Sequence, residues 1–141
     1  MRVFLDTNVI ISALVFGGGV RRLLIELLGS GHELCTSSYV DGELKEKLRQ
    51  KWPAKAERVF DLYAQMDIEH VASAGEGEGH GTNEALLRRD PKDVPMLRDA
   101  LKANADVLLT GDKDFLATDI ERPVVFSPAM MWDFLRDRGM V

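Results

Sequence analysis

The sequence predicts an α/β fold in which a mostly parallel sheet is covered by helices, as in a three-layer sandwich. Short apolar runs that suit buried strands alternate with longer segments of helical periodicity. Such alternation is typical of parallel sheets with right-handed crossovers. With 141 residues the chain has the length of one domain, so we expect a single domain over residues 1–141.

Five segments are predicted as strands. Residues 3–5 form an unbroken apolar run that stops at Asp6, Thr7 and Asn8, and residues 106–110 end in the same way before Asp112 and Asp114. The weaker candidates are residues 33–36, 68–71 and 124–126. An apolar run without alternation suits a strand that is buried on both faces.

Helical periodicity fills most of the intervals between these strands. We predict helices over residues 9–14, 20–28, 40–48 and 54–66, another that opens at residues 90–93, and one that follows Ser127 and Pro128. Glycines 17–19 separate the first two, and Pro53 is expected in the first turn of the fourth. The predicted inward residues include Val59, Phe60, Tyr63, Met96, Leu97, Ala100, Leu101, Met131, Phe134 and Leu135.

Composition narrows the function classes. The net charge of −5 argues against a protein that holds nucleic acid by overall positive charge, although acids gathered in one cleft can bind cations that reverse the local field. The single cysteine, Cys35, has no partner in the chain and lies in an apolar segment, which favours a core residue in a reducing compartment. No apolar run approaches the roughly 18 residues of a membrane span, and we expect a cytoplasmic protein.

Acidic residues are predicted to meet at one edge of the sheet. Asp6 and Asp112, with Asp114, follow strands, whereas Glu43 and Asp93 lie near helix starts. In a parallel sheet the strands end at the edge where the next helices begin, and ligands bind there. Because crowded carboxylates repel one another, such a cluster favours bound cations, and without Cys or His these would be Mg²⁺ or Mn²⁺.

Each of these assignments has a simpler alternative. Asp6, Thr7 or Asn8 could cap the first helix instead of serving a site. Glu43 could belong to the solvated helix face that carries Asp41, Lys45, Glu46 and Lys47. His80 lies in the glycine-rich loop of residues 72–82, where we interpret it as a solvated side chain rather than a metal ligand.

Four motifs in order resemble the PIN domain, and in particular the VapC-type ribonucleases of toxin–antitoxin systems. They are the opening DTNV, Glu43 within GELKEKL, the DPKD of residues 90–93 and the ADVLLTGDKDF of residues 105–115. The resemblance implies a sheet of four or five strands, frequent homodimers and a metal-dependent ribonuclease. It maps a catalytic quartet onto Asp6, Glu43, Asp93 and Asp112, an additional metal-binding acid onto Asp114, and supporting polar residues onto Thr7, Asn8 and Thr110.

The chain also departs from that group. Members often carry an acidic pair and a lysine after the Asp-Pro pair, whereas Val94 and Pro95 follow Asp93 here, which removes an auxiliary acid but leaves Asp93 in place. The loop of residues 72–82 is more irregular than the short connection expected at that point.

We therefore expect a ribonuclease that uses Mg²⁺ or Mn²⁺ and pairs with an antitoxin. The alternatives are cleavage of DNA or flap structures by the same metals, a PIN-fold binding module without catalysis, and a small-molecule phosphatase or phosphotransferase. The phosphatase would need a second acid two residues after Asp6, where the chain has Asn8. A homodimer is predicted to form through the helices of residues 9–28 and 54–66, unless their apolar residues are all core: Ile11, Leu14, Phe16, Phe60 and Tyr63.

Overall fold

A five-stranded parallel sheet forms the centre of the molecule. The computed structural model describes residues 1–73, 94–116 and 122–139. The strands are β1 (Arg2–Leu5), β2 (Glu33–Ser37), β3 (Ile68–Val71), β4 (Val107–Leu109) and β5 (Val124–Phe126). Their order is β3-β2-β1-β4-β5, and all four neighbouring pairs are parallel. The predicted α/β class and the five predicted strands are confirmed.

Helices occupy the connections between the strands. They are α1 (Thr7–Ile11), a π-helical turn (Ser12–Phe16), α2 (Gly18–Gly29), α3 (Ser38–Lys51), α4 (Ala56–Gln65), α5 (Val94–Lys102), α6 (Lys113–Leu116) and α7 (Pro128–Asp137). Two begin with hydroxyl caps, since Ser37 Oγ accepts the N–H of Val40 and Ser127 Oγ accepts the N–H of Met130. The start of α7 agrees with the prediction of a helix at Ser127 and Pro128.

Three local features differ from the prediction. The first predicted helix continues as a π-helical turn and ends at Gly17, whose φ of +77° lets the chain turn into α2. Helix α4 begins at Ala56, so Pro53 lies before the helix rather than in its first turn. Leu101 was predicted to face inward, but it is 40% exposed, whereas Leu97 and Ala100 on the same helix are buried.

The core is built around β1, whose Val3, Phe4 and Leu5 are fully buried. Strand β2 lies beside it, and burial there raises the pKa of the Cys35 thiol to about 11. A thiol with so high a pKa carries almost no thiolate at neutral pH. Cys35 is therefore the core residue that its apolar context predicted.

The predicted dimer surface is smaller than expected. Ile11, Leu14 and Tyr63 are buried within the chain, so their assignment to an interface was wrong. Phe60 is partly buried under the guanidinium of Arg49. Of the five residues only Phe16 is largely exposed, at 70%.

No single helix in residues 1–73, 94–116 or 122–139 is long and apolar enough to cross a membrane. The segments Thr7–Phe16 and Gly18–Gly29 reach that length only together, across a bend of 108°.

Candidate active site at the carboxyl edge of the sheet

The carboxyl ends of the two central strands bring polar residues side by side. Leu5 and Leu109 are paired in register, and the N–H of Asp6 donates to the carbonyl of Leu109 at 3.1 Å. Asp6 and Thr110 therefore emerge at the same edge from adjacent strands. This is the position at which ligands bind in parallel α/β sheets.

Asp6 is held by a hydroxyl from the neighbouring strand. The Thr110 hydroxyl donates to Asp6 Oδ2 at 2.6 Å, and the N–H of Asp112 donates to Thr110 Oγ1 at 3.1 Å. Thr110 is fully buried and Asp6 is 6% exposed. Asp6 does occupy the N-cap position of α1, but its carboxylate makes no capping hydrogen bond of normal geometry. The carboxylate instead accepts the hydroxyl of Thr110, which follows the neighbouring strand β4.

Glu43 is held in a similar way by the residue after Asp6. The Thr7 hydroxyl donates to Glu43 Oε1 at 2.6 Å, and Thr7 is fully buried. Glu43 lies in the second turn of α3, a helix that starts at the same edge where β2 ends. Its side chain is 32% exposed, so Glu43 is bonded to the end of β1 and is not part of the fully solvated face.

A lysine lies next to these groups. Lys47 follows Glu43 by one helical turn, and its Nζ lies 3.9 Å from Glu43 Oε1 and 3.3 Å from Asn8 Oδ1. Asn8 is exposed, so this side of the site opens to solvent. We did not assign a function to Lys47 from the sequence, although its i, i+4 spacing from Glu43 was the available signal.

The electrostatics of Asp6 follow from its burial. Burial raises the pKa of the Asp6 carboxyl above its ordinary value, and the negative charge of Glu43 adds to that shift. The Thr110 hydroxyl, the N–H of Asn8 and the Lys47 ammonium favour the charged form and oppose it. A cation at this site would also favour the carboxylate.

The remaining predicted residues are only partly described. Asp112 lies directly before α6 and is partly exposed. Asp114 lies within α6, but its side chain is not among those that the structure describes. Asp93 and His80 lie entirely outside the described residues. Among the side chains that the structure does describe, no three from His, Cys, Asp or Glu lie close enough together to hold a metal ion.

The chemistry of the described donors fits a hard divalent cation. Asp6 and Glu43 offer oxygen ligands, which Mg²⁺ and Mn²⁺ prefer. Each threonine hydroxyl engages one oxygen of its carboxylate, and a carboxylate has a second oxygen with which to bind a cation. The two hydroxyls also orient their carboxylates, as hydrogen bonds around metal ligands commonly do.

A second polar cluster lies on another face of α3. The Asp41 carboxylate accepts the Tyr63 hydroxyl at 2.6 Å, and the same oxygen lies 2.9 Å from His70 Nδ1. Asp41, predicted on the solvated face of the helix, therefore joins α3 to α4 and β3. Nearby, the fully buried Asp99 accepts the Ser73 hydroxyl at 2.9 Å. The sequence pattern did not indicate either contact, because both depend on how the helices pack.

These features define a parallel α/β protein with carboxylates and threonine hydroxyls at its central strand ends. The chain matches the PIN domain family over residues 2–114 and belongs to that family. Among curated proteins, none matches closely enough to count as a relative.

Solved structures of similar fold include two VapBC proteins. One is VapBC2 from Rickettsia felis bound to a DNA fragment from its promoter, with a TM-score of 0.69 and 21% identity over 90% of this chain and 98% of that chain. The other is VapBC-1 from nontypeable Haemophilus influenzae, with a TM-score of 0.62 and 20% identity over 92% of this chain and 99% of that chain. At these identities the likeness establishes a shared fold.

Proposed function

We propose that the protein is a ribonuclease that hydrolyses RNA phosphodiester bonds with Mg²⁺ or Mn²⁺ and acts as the toxin of a toxin–antitoxin pair. Membership of the PIN domain family and the VapBC-like fold support a nuclease of this kind. The observation that carries the proposal is the pair of threonine bonds that hold Asp6 and Glu43 at the end of β1.

In this proposal the metal ligands are Asp6, Glu43, Asp93, Asp112 and Asp114, of which Asp6, Glu43, Asp93 and Asp112 form the catalytic quartet. A bound divalent cation would supply an activated water and stabilise the leaving oxygen during phosphodiester hydrolysis. The remaining work belongs to the protein's own side chains.

Those side chains position the carboxylates. Thr110 donates to Asp6 and favours its charged form, which burial alone would disfavour. Thr7 fixes the rotamer of Glu43 on α3. Asn8 is exposed beside both groups, where its amide can bind water or a phosphate oxygen.

A cleavage assay tests the activity directly. A labelled single-stranded RNA and a DNA of the same sequence should be incubated with the protein in Mg²⁺, in Mn²⁺ and in EDTA. We expect cleavage of the RNA that requires either metal and is lost in Asp6→Asn. Cleavage of the DNA alone would favour the DNA or flap nuclease, and no cleavage by a folded protein that binds RNA would favour the non-catalytic binding module.

Metal binding is tested separately by soaking crystals in Mn²⁺ and locating the ion by its anomalous signal. We expect density beside Asp6 and Glu43 that disappears in Asp6→Asn. Density only at other surface acids would contradict the assigned ligands.

The toxin role predicts a protein partner. The two similar structures are VapBC assemblies, and we propose that this chain likewise acts in the cytoplasm with an antitoxin. Expression of the chain alone should slow growth of its host, and Asp6→Asn should relieve that effect. Growth that is equally slow with Asp6→Asn would separate toxicity from the proposed site.

A further inference from the structure

Lys47 lies beside the proposed site and has no close ionic partner among the side chains that the structure describes. Its Nζ is 3.9 Å from Glu43 Oε1, which is beyond hydrogen-bond distance, and that oxygen already accepts the Thr7 hydroxyl at 2.6 Å. The contact of Lys47 with Asn8 Oδ1, at 3.3 Å, is long. An ammonium group has three N–H donors, so this arrangement leaves donors for a ligand.

The position of Lys47 on α3 directs its side chain toward the proposed site. Glu43 and Lys47 are one turn apart on α3, so their side chains share the face that meets the end of β1. The Lys47 side chain is 33% exposed, and its positive charge reaches Asp6 strongly enough to oppose the rise in that residue's pKa. Lys47 is thus both close to the carboxylates and open to solvent.

The charge of the protein indicates why a lysine at this position would help RNA to bind. The protein carries a net charge of −5, and the proposed site gathers carboxylates that repel the phosphates of RNA. A cation one side chain away from Asp6 and Glu43 would attract a phosphate to the place where the carboxylates act. Lysine binds phosphate in this way, as a point charge.

We propose that Lys47 is a substrate-binding residue whose ammonium contacts a phosphate of the RNA strand next to the carboxylates. The inference rests on the proposed ribonuclease function, because it assigns one contact to that substrate. In free protein Lys47 lies against Glu43 and Asn8, and in the complex its free donors bind the phosphate.

The salt dependence of RNA binding tests this contact without relying on cleavage. A fluorescein-labelled single-stranded RNA should be titrated with protein in EDTA, at several salt concentrations, with fluorescence anisotropy as the measurement. For single strands the logarithm of the affinity falls with a slope of about −0.7 per phosphate contact. We therefore expect Lys47→Gln to flatten the slope by about 0.7 and to weaken binding about fivefold at 0.1 M salt.

Two control variants make the result specific. Lys47→Arg keeps the charge and should retain the wild-type slope within error. Lys51→Gln removes the same charge one turn further along α3, at an exposed position, and should change the slope much less than Lys47→Gln does. Because the ion pair with Glu43 is partly exposed and long, Lys47→Gln should shift Tm by no more than a few degrees.

The outcomes distinguish this inference from the function on which it rests. A wild-type slope in Lys47→Gln, or equal losses in Lys47→Gln and Lys51→Gln, would overturn the assigned contact even if the protein cleaves RNA. A flattened slope in a protein that binds RNA but does not cleave it would support the contact and overturn the ribonuclease. A wild-type protein with no measurable affinity for RNA in EDTA would overturn the contact, whereas the ribonuclease would still be decided by the cleavage assay in Mg²⁺ and Mn²⁺.

Discussion

At the scale of single residues, Asp6 should separate activity from stability. Asp6→Asn removes a proposed metal ligand but keeps an oxygen that can accept the Thr110 hydroxyl. Because burial raises the pKa of Asp6, the charged carboxylate costs the folded state free energy at neutral pH. We expect lost cleavage with an equal or higher Tm in metal-free buffer.

The pH dependence of that stability difference follows from the same shift. Between the ordinary value of 3.8 and the raised pKa, the folded protein binds the proton more readily than the unfolded chain does. The advantage of Asp6→Asn should be largest above the raised pKa and should shrink as the pH falls to about 3.8. Thermal unfolding over a pH series measures it, and a lower Tm for Asp6→Asn than for the wild type at pH 7 would contradict the assigned cost of the buried charge.

Thr7 predicts a different pattern. Thr7→Val has nearly the same shape but cannot donate to Glu43 Oε1, so Glu43 loses its fixed orientation. We expect kcat for RNA cleavage to fall at least tenfold, with a cost in stability of about 1 kcal/mol for the lost hydrogen bond. Thr7→Ser restores the donor and should recover most of kcat. Equal loss in both variants would show that the hydrogen bond from the Thr7 hydroxyl does not by itself account for the effect.

Cys35 should make the free energy of unfolding fall as the pH rises in alkaline solution. Its pKa rises from 9.0 to about 11 in the folded state, so the neutral thiol stabilises the fold below pH 9.0, and that stabilisation is lost as the pH rises toward 11. Two pKa units correspond to about 3 kcal/mol. Urea unfolding from pH 8 to 11 should therefore show a steeper decline for the wild type than for Cys35→Ala. Parallel declines would contradict the assignment.

At the scale of elements, β1 should be the most sensitive strand. Leu5 is fully buried beside the polar end of that strand, and Leu5→Ala would open a cavity there. We expect the free energy of unfolding to fall by about 2–5 kcal/mol. Val124→Ala on the edge strand β5, where the side chain is 43% exposed, is the matched control and should cost less than about 1 kcal/mol. Urea denaturation measures both, and equal costs would contradict the central position of β1.

The sequence was most informative for elements whose pattern is local. Unbroken apolar runs located β1 and β4, and Ser127 marked the start of α7. The π-helical turn at Ser12–Phe16 was not predicted, because the spacing of its apolar residues is also compatible with an α-helix. Contacts such as that of Lys47 with Asn8 depend on how the helices pack, so the sequence pattern alone could not predict them.

For the candidate site, the sequence predicted the location better than the bonds. Polar residues after apolar runs indicated that Asp6 and Thr110 lie at one edge, and the structure places them there. The sequence left the orientation of Glu43 open, because Glu43 borders the apolar face of its helix and the residues around it are charged. Its bond to Thr7 depends on how α3 packs against the end of β1.

At the scale of the whole molecule, assembly remains a prediction. Phe16 is 70% exposed, and its ring packs edge-on against Trp52 with centroids 5.6 Å apart. We propose that this surface forms a two-fold homodimer that buries more than about 1,000 Å² in total. Light scattering at micromolar concentration should give twice the chain mass of 15.7 kDa, and Phe16→Ser should give the monomer. A wild-type mass near 15.7 kDa would rule out the stable dimer.

Under the proposed function, the pairing of β1 with β4 also limits how early during its own synthesis the protein can become active. Thr110, the partner of the Asp6 carboxylate, is made 104 residues after Asp6. Closing so long a loop is entropically costly and slow, and it cannot begin before β4 exists. A nascent chain that stops before residue 107 lacks β4, Thr110 and Asp112. Under the proposed function, the ribosome that makes this nuclease is therefore not exposed to its activity until β4 and the residues that follow it have been made.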